Sequence, residues 1–318
     1  MNIPVFDLHC DTVTELMGSK LDAKGNLRNN HLHIDLTRAS AFDAYVQCFA
    51  FWSTTGLPLP KGVTVQDLFW REVSMLQDLM DKNSDLIRQA RTGAEVIQNR
   101  NDGLMSAIFT LEGPTGIGFD PGKLEKLRNL GFCMSTLTWN ESNALAGSHK
   151  TGGGLTKQGK EYVKEAQRLG ILVDASHISD EAFWGIMDMT QAPIVASHSN
   201  SRSVHDVSRN LTDDMFRAIC QTGGVVGLNQ YVHFLGAEQV NVDTACDHIF
   251  HFLELDPSGK HIALGADLDG CDTLPAGFDG IQSYPALAQR LIERGLTTQM
   301  LEDIFWNNAF EVINKCCM

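Results

Sequence analysis

Short apolar runs alternate along this chain with longer segments of helical character. The runs are rich in β-branched and aromatic residues, which is typical of strands covered on both faces. Eight runs can be distinguished: Val5–Thr12, Ala44–Ser53, Met105–Gly113, Gly131–Asn140, Ile171–Ser179, Pro193–Asn200, Gly223–Tyr231 and His261–Gly270. Apolar spacing and capping residues between the runs predict helices at Val65–Thr92, Lys157–Gly170, Glu181–Met187, Met215–Thr222, Thr244–Leu255, Ile281–Gly295 and Thr297–Asn314.

The alternation of strand and helix, repeated eight times, predicts an α/β protein built as a (β/α)₈ barrel of the TIM type. No linker-like stretch interrupts the pattern, so we expect a single catalytic domain over residues 1–318. The alternative is a doubly wound open sheet, which usually carries a glycine-rich phosphate loop after its first strand. Here the first run ends in HCDT, and this favours the barrel.

Composition excludes several classes of protein. Hydrophobic residues make up 43% and charged residues 20% of the chain, which is enough apolar material for a core and excludes a disordered protein. The net charge of −14 argues against binding to nucleic acid or to an anionic membrane surface. No apolar run reaches about 18 residues, and the first residues lack the pattern of a signal peptide. We therefore expect a cytoplasmic protein whose eight cysteines are reduced.

Candidate chemistry lies where the predicted strands end, since functional side chains of such barrels collect at that end. His9 and Asp11 are two residues apart, a spacing that puts both on one face of a strand. Equivalent places on later runs hold Glu112, His177, His198 and Asp267. Crowded carboxylates repel one another unless a cation neutralises them, and imidazole with carboxylate suits zinc or a similar divalent ion. The sequence therefore predicts a metal site at the barrel mouth.

These motifs resemble the membrane (renal) dipeptidase family, peptidase family M19, whose members are zinc dipeptidases related to the amidohydrolase superfamily. Each motif is short, but the ordered set covers nearly the whole chain and is specific. It comprises HxD from His9, FWS at Phe51–Ser53, EG at Glu112–Gly113, SH at Ser176–His177, SHS at Ser197–Ser199, SRN at Ser208–Asn210, GG at Gly223–Gly224 and ADLDG ending at Gly270.

The resemblance implies two zinc ions per chain. His9 and Asp11 would bind one ion, His177 and His198 the other, and Glu112 would bridge them. A hydroxide between the ions would hydrolyse the peptide bond of a free dipeptide, including substrates with a C-terminal D-residue.

The resemblance also implies roles in substrate binding and proton transfer. Asp267 would take a proton from the nucleophile and deliver it to the leaving amine. Arg209, in the segment VSRNLTDD, would hold the C-terminal carboxylate of the substrate. Arg202 competes for this role, because the sequence alone does not separate the two arginines. Tyr231, at the end of the seventh run, is a further candidate for substrate binding.

One position departs from the family pattern. Many members carry a histidine after the fourth strand that polarises the scissile carbonyl, whereas the run TLTWNESNALAG places Trp139 there. An indole N–H can donate a hydrogen bond but cannot become cationic. Asn140 or Asn143 could supply the missing donor, and His149 on the following loop could contact the substrate.

Two other functions stay open. The same metal site could serve an amidohydrolase that acts on another small amide or ester, because this barrel hosts many chemistries. A non-catalytic, metal-containing binding protein is the second alternative, and the Trp139 substitution is its support. Relatives in the family suggest a homodimer.

Overall fold

Eight parallel strands form a nearly closed barrel in the computed structural model, which describes residues 3–18, 25–54 and 58–317. The first strand pairs with the second and the eighth, and a bridge between Ala196 and Val226 joins the sixth to the seventh. The predicted (β/α)₈ barrel is therefore confirmed. The barrel strands are Val5–Cys10, Tyr45–Trp52, Met105–Glu112, Phe132–Thr136, Leu172–Asp174, Ile194–Val195, Val226–Leu228 and Ile262–Leu264.

Helices follow most of the strands along the chain. The α-helices are Thr12–Met17, Leu36–Ala39, Val65–Asp81, Gly93–Asn101, Leu124–Asn129, Lys157–Arg168, Asp180–Met187, Asp213–Thr222, Val232–Leu235, Val242–Leu255, Tyr284–Glu293, Thr298–Glu302 and Asn308–Cys316. Short 3₁₀ turns lie at Pro114–Ile117, Pro121–Lys123 and Ile281–Ser283, and a π-helical turn spans Asp303–Asn307. None of the helices in the described ranges is both long and apolar enough to span a membrane.

The predicted helix Val65–Thr92 is wrong beyond Asp81. The side-chain amide of Asn83 donates to Leu79 O at 2.7 Å. This hydrogen bond satisfies a carbonyl of the last turn, and the helix ends at Asp81. Residues Ile87–Gln89 then form a short strand that pairs in parallel with the third barrel strand. Thr92 caps a separate helix over Gly93–Asn101, which the sequence analysis did not identify.

The barrel strands are shorter than the predicted runs. The run to Ser179 is a strand only as far as Asp174, and the run to Gly270 only as far as Leu264. His177, His198 and Asp267 therefore lie just beyond the strands rather than in them. A two-stranded hairpin, Ala146–Ser148 with Gly152–Leu155, also lies in a segment for which no element was predicted.

Two apolar clusters make the core of the described residues. The larger one contains Phe49, Phe51 and Phe109, together with apolar residues of most helices. The smaller one joins strand residues such as Phe6 and Ile108 to the C-terminal helix. The largest fully buried side chains are aromatic, among them Phe6, Phe49 and Phe109 on the barrel strands that carry the site.

Candidate metal centre and substrate cavity

Glu112 lies at the centre of a buried group of imidazoles at the carboxyl ends of the strands. Its Oε1 atom is 3.0 Å from His177 Nε2 and 3.7 Å from His198 Nε2, while Oε2 is 3.5 Å from His9 Nε2. The Nε2 atoms of His177 and His198 are 2.9 Å apart. One carboxylate thus faces histidines on two sides.

Two further carboxylates complete the group. His9 Nε2 lies 3.4 Å from Asp11 Oδ2 and 3.7 Å from Asp267 Oδ1. Within this cluster, three sets of side chains could each hold a metal ion, because the ligand atoms of each set lie within 4.8 Å of one another. These sets are His9, Asp11 and Glu112; Glu112, His177 and His198; and His9, His198 and Asp267. All six residues that the sequence singled out therefore lie together.

The donor set fits divalent cations. His9 Nε2 is buried without a hydrogen-bond partner in the described ranges. An unsatisfied buried group of this kind lowers the free energy of unfolding by about 1–3 kcal/mol unless another group, such as a metal ion, compensates it. Buried carboxylates such as Glu112 likewise need a compensating positive charge. A Cβ at Gly270 would lie 2.1 Å from Asp11 Oδ2 and 2.6 Å from Asp267 Oδ1. Only glycine lets the chain pass this close to both carboxylates.

Hydrogen bonds behind the cluster orient His198. Ser197 Oγ donates to Asp174 Oδ2 and so accepts from His198 Nδ1, at 2.7 Å. Asp174 is itself fixed, since its Oδ1 accepts from the backbone N–H groups of Ser176 and Ser197. The proton of His198 is therefore on Nδ1, and the Nε2 lone pair points at the cluster, which is the usual arrangement of a metal-binding histidine.

Asn140 orients His177 in a similar way. The Oδ1 atom of Asn140 lies 3.2 Å from His177 Nδ1 and 2.8 Å from His149 Nε2. An amide oxygen only accepts hydrogen bonds, so both imidazoles donate to it and His177 keeps its Nε2 lone pair for a metal. His149 Nδ1 lies 3.1 Å from Ser208 Oγ, which holds the far side of that ring.

Backbone geometry and burial both mark this cluster. His177 and Asp267 have left-handed backbone conformations, with φ of 67° and 62°, which are unusual outside glycine and cost about 1–3 kcal/mol each. Burial lowers the pKa of His177 and of His198 well below the usual range, so both imidazoles are neutral. Burial raises the pKa of Asp267 to about 8, although the charge of His9 opposes the rise.

A cavity of about 330 Å³ opens onto the cluster. Its wall includes three of the predicted substrate-binding residues: Trp139, Asn140 and Tyr231. Trp52 and Trp139 pack edge to face, with 4.9 Å between their ring centroids. The full lining is Asp11, Thr14, Glu15, Trp52, Glu112, Trp139, Asn140, His177, Tyr231, Phe234, Asp267, Asp269, Gly270 and Asp272.

Arg209 lies behind this wall, against Phe234 and next to His198. It is 3% exposed, and it donates to Ser199 Oγ at 2.8 Å and to His198 O at 2.9 Å. Its Nε atom has no hydrogen-bond partner, and no carboxylate of the described residues forms an ion pair with it. Arg202 is different, because its guanidinium is bound to Asp180 at 2.7 Å.

The structure also separates the remaining candidates. Asn143 is occupied within its own loop, since it donates to Leu137 O and accepts from Leu145 N. Asn140, not Asn143, lines the cavity. Sequence reasoning missed Thr14, Glu15, Phe234 and Asp272 as cavity residues, because nothing in their local spacing distinguishes them from surface or core positions.

A barrel whose strand ends hold converging imidazoles and carboxylates belongs to the architectural class of metal-dependent hydrolases. The family model for membrane dipeptidase, peptidase family M19, matches residues 1–317. The chain belongs to this family of metal-dependent dipeptidases, as its motifs predicted.

Solved structures of this family have the same fold. A metallo peptidase from Rhodobacter sphaeroides, liganded with a phosphinate mimic of the dipeptide L-Ala-D-Ala, is 25% identical with a TM-score of 0.87, covering 99% of this chain and 100% of its own. The dipeptidase AC, a metallo peptidase of family M19, is 27% identical with a TM-score of 0.87 and 99% of both chains covered.

Among curated relatives, an uncharacterized dipeptidase of Schizosaccharomyces pombe (strain 972) is 36% identical over 214 residues. That match covers 65% of this chain and 52% of the relative. The chain thus spans about half the length of the first curated relatives it matches.

Proposed function

We propose that this protein is a zinc-dependent dipeptidase that hydrolyses the peptide bond of free dipeptides, including those with a C-terminal D-residue. The observation that carries the proposal is the convergence of His9, Asp11, Glu112, His177 and His198 at the mouth of a family M19 barrel. The relative liganded with a mimic of L-Ala-D-Ala supports the substrate class. A homodimer and a cytoplasmic location stay predictions.

Two ions fit the ligand sets. His9, Asp11 and one oxygen of Glu112 would hold the first, while His177, His198 and the other oxygen of Glu112 would hold the second. Zinc bound there supplies an acidified water and a positive charge for the scissile carbonyl.

Asp267 is the proposed proton carrier. Asn229 donates to its Oδ2 at 2.9 Å, which fixes the carboxyl group and leaves Oδ1 on the side of His9. At 3.7 Å from His9 Nε2, Oδ1 would be placed to take a proton from the attacking water and give it to the leaving amine.

Arg209 is proposed to receive the C-terminal carboxylate of the dipeptide. A buried guanidinium without an ion-pair partner is costly, and an incoming carboxylate would compensate it with charge-assisted hydrogen bonds. Because Arg209 lies behind Phe234, the carboxylate has to enter beside that ring. A clamp at this position would limit the substrate to two residues.

Asn140 is proposed to replace the histidine that many relatives carry one position earlier. Two imidazoles donate to its Oδ1, so its amide group cannot flip, and its Nδ2–H₂ group is left without a partner in the described ranges. Since Asn140 lines the cavity, Nδ2 can donate to the carbonyl oxygen of the substrate. Trp139 and Tyr231 would then serve as apolar walls for the substrate side chains.

A substrate panel tests this function against the amidohydrolase alternative. Zinc-loaded protein is offered L-Ala–L-Ala, L-Ala–D-Ala, a C-terminally amidated dipeptide, an N-acyl amino acid and a tripeptide, and amino-acid release is measured. We expect cleavage of the free dipeptides alone. Cleavage of the N-acyl amino acid in their place would favour the amidohydrolase, and tight binding of dipeptides without turnover would favour a binding protein.

A further inference from the structure

A second group of metal-ligating side chains lies at the opposite end of the barrel from the candidate centre. Cys220 is in the last turn of the helix Asp213–Thr222, Asp256 directly follows the helix Val242–Leu255, and His261 directly precedes the eighth barrel strand. Their ligand atoms lie within 4.8 Å of one another, and all three residues are partly exposed. We propose that Cys220, Asp256 and His261 form a separate site for a divalent ion of the zinc class.

The hydrogen bonding of His261 leaves one nitrogen available. Its Nδ1 atom lies 2.7 Å from Gly224 O, and a carbonyl oxygen can only accept, so Nδ1 carries the proton. The lone pair of the neutral ring is therefore on Nε2. Metal-binding histidines are commonly fixed by such a bond from the other ring nitrogen to a backbone carbonyl.

Asp256 also has one oxygen committed and one without a partner. Its Oδ1 atom accepts from Ser258 N at 3.1 Å and from Ser258 Oγ at 2.7 Å, which holds the carboxyl group in place. Its Oδ2 atom is buried and has no hydrogen-bond partner among the residues that the structure describes. A buried carboxylate oxygen in that state lacks the compensation that a bound cation provides.

The thiol supplies the third ligand and favours zinc among common ions. Sulfur, imidazole nitrogen and carboxylate oxygen together are typical zinc ligands, whereas Ca²⁺ and Mg²⁺ prefer oxygen alone. Burial raises the pKa of Cys220 to about 12, and the Asp256 charge adds to this rise. Without a cation the group is a thiol, and metal binding would release its proton.

The geometry needs only a small contraction to bind an ion. Zinc ligands lie about 2.0–2.3 Å from the ion, so neighbouring ligand atoms are about 3.5 Å apart in a tetrahedral shell. Rotation of these partly exposed side chains can supply that adjustment. Three protein ligands leave one position for water, and the ion would tie the ends of two helices to the start of a strand.

Cobalt spectroscopy tests the site separately from the candidate catalytic centre. The six residues of that centre offer only nitrogen and oxygen ligands, so a thiolate-to-cobalt charge-transfer band in the near ultraviolet reports a cysteine ligand. Co²⁺ is titrated into metal-free full-length protein, and bound metal is counted per chain. We expect the band in the wild type and its loss in Cys220→Ser, with one ion fewer per chain.

Controls separate a lost ligand from a lost fold. Cys316→Ser, which changes another partly exposed thiol, should keep the band. His261→Gln should weaken it although the thiol remains, and zinc should raise the melting temperature of the wild type more than that of His261→Gln. Dipeptide cleavage by Cys220→Ser should stay within about two-fold of wild type.

Absence of the band in the wild type, or its persistence in Cys220→Ser, would overturn the proposal. If Cys220→Ser fails to fold, His261→Gln decides the matter, because its band should be weaker than that of the wild type although Cys220 is unchanged. The site does not rest on the proposed function, since the band is read without substrate.

Discussion

Individual residues carry the chemistry of the site. The candidate metal ligands could be predicted from the sequence, whereas the hydrogen-bond partners that orient them could not. His9, Asp11, Glu112, His177, His198 and Asp267 follow the predicted strands, and all converge in the structure. The bonds that orient them come from residues far apart in the chain, such as Asp174 behind His198. Nothing in local spacing reveals such partners, because the fold brings them together.

Replacing Arg209 should separate binding from turnover. Arg209→Met removes the charge-assisted hydrogen bonds proposed for the substrate carboxylate, and we expect KM for a free dipeptide to rise about 10- to 100-fold. Arg202→Met is the control, since Arg202 is already paired with Asp180. Steady-state kinetics on both variants check this, and an unchanged KM in Arg209→Met would remove the clamp.

Asn140 and His149 should act as one unit. Asn140→Ala removes the proposed donor to the carbonyl oxygen, and kcat should fall about 100-fold. His149→Ala frees the amide of Asn140 to flip and should lower kcat about ten-fold, with recovery in His149→Gln, which keeps a donor. The double alanine variant should resemble Asn140→Ala alone, whereas additive losses would mean that His149 does not act through Asn140.

The elements of the fold were predictable where apolar patterning decides them. All eight apolar runs contain a barrel strand, since burial on both faces leaves a strong signal. The ends were not predictable: the fifth and eighth strands already stop at Asp174 and Leu264, and the left-handed residues His177 and Asp267 follow three residues later within the same runs. The segment after Asp81 was wrongly predicted as helix. The helix ends with a side-chain hydrogen bond from Asn83 to Leu79 O, and such a bond leaves no mark in the spacing of apolar residues.

The loop after the eighth strand should tolerate no side chain at Gly270. In Gly270→Ala the added Cβ would lie 2.1 Å from Asp11 Oδ2, so the carboxylate has to move and zinc affinity should fall about 10- to 100-fold. Gly122→Ala is the control, because the nearest atom to its Cβ is 3.2 Å away. Zinc titrations of both variants check this, and equal affinities would show that the close approach is unimportant.

Across the whole molecule, Glu72 should set part of the pH dependence of stability. It is fully buried, and burial raises its pKa well above the usual range. The folded protein therefore holds a proton that the unfolded chain releases above about pH 4.3. Its contribution to the free energy of unfolding is full below that pH and declines as pH rises toward the folded pKa.

Glu72→Gln removes this decline. We expect the melting temperature of the zinc-loaded variant, measured relative to that of the wild type, to increase progressively from acid to neutral pH. Glu161→Gln, at an exposed position of the helix Lys157–Arg168, should show no such trend. A difference between Glu72→Gln and wild type that does not grow with pH would mean that Glu72 is charged in the folded state.

The most direct measurement is L-Ala–D-Ala cleavage by metal-free protein as zinc is returned stepwise. It is best made on Cys220→Ser, so that the site proposed at the other end of the barrel takes up no zinc. The account predicts no release of alanine without metal and full activity at two zinc ions per chain. Full activity in the metal-free protein, or none after two ions are bound, would contradict it.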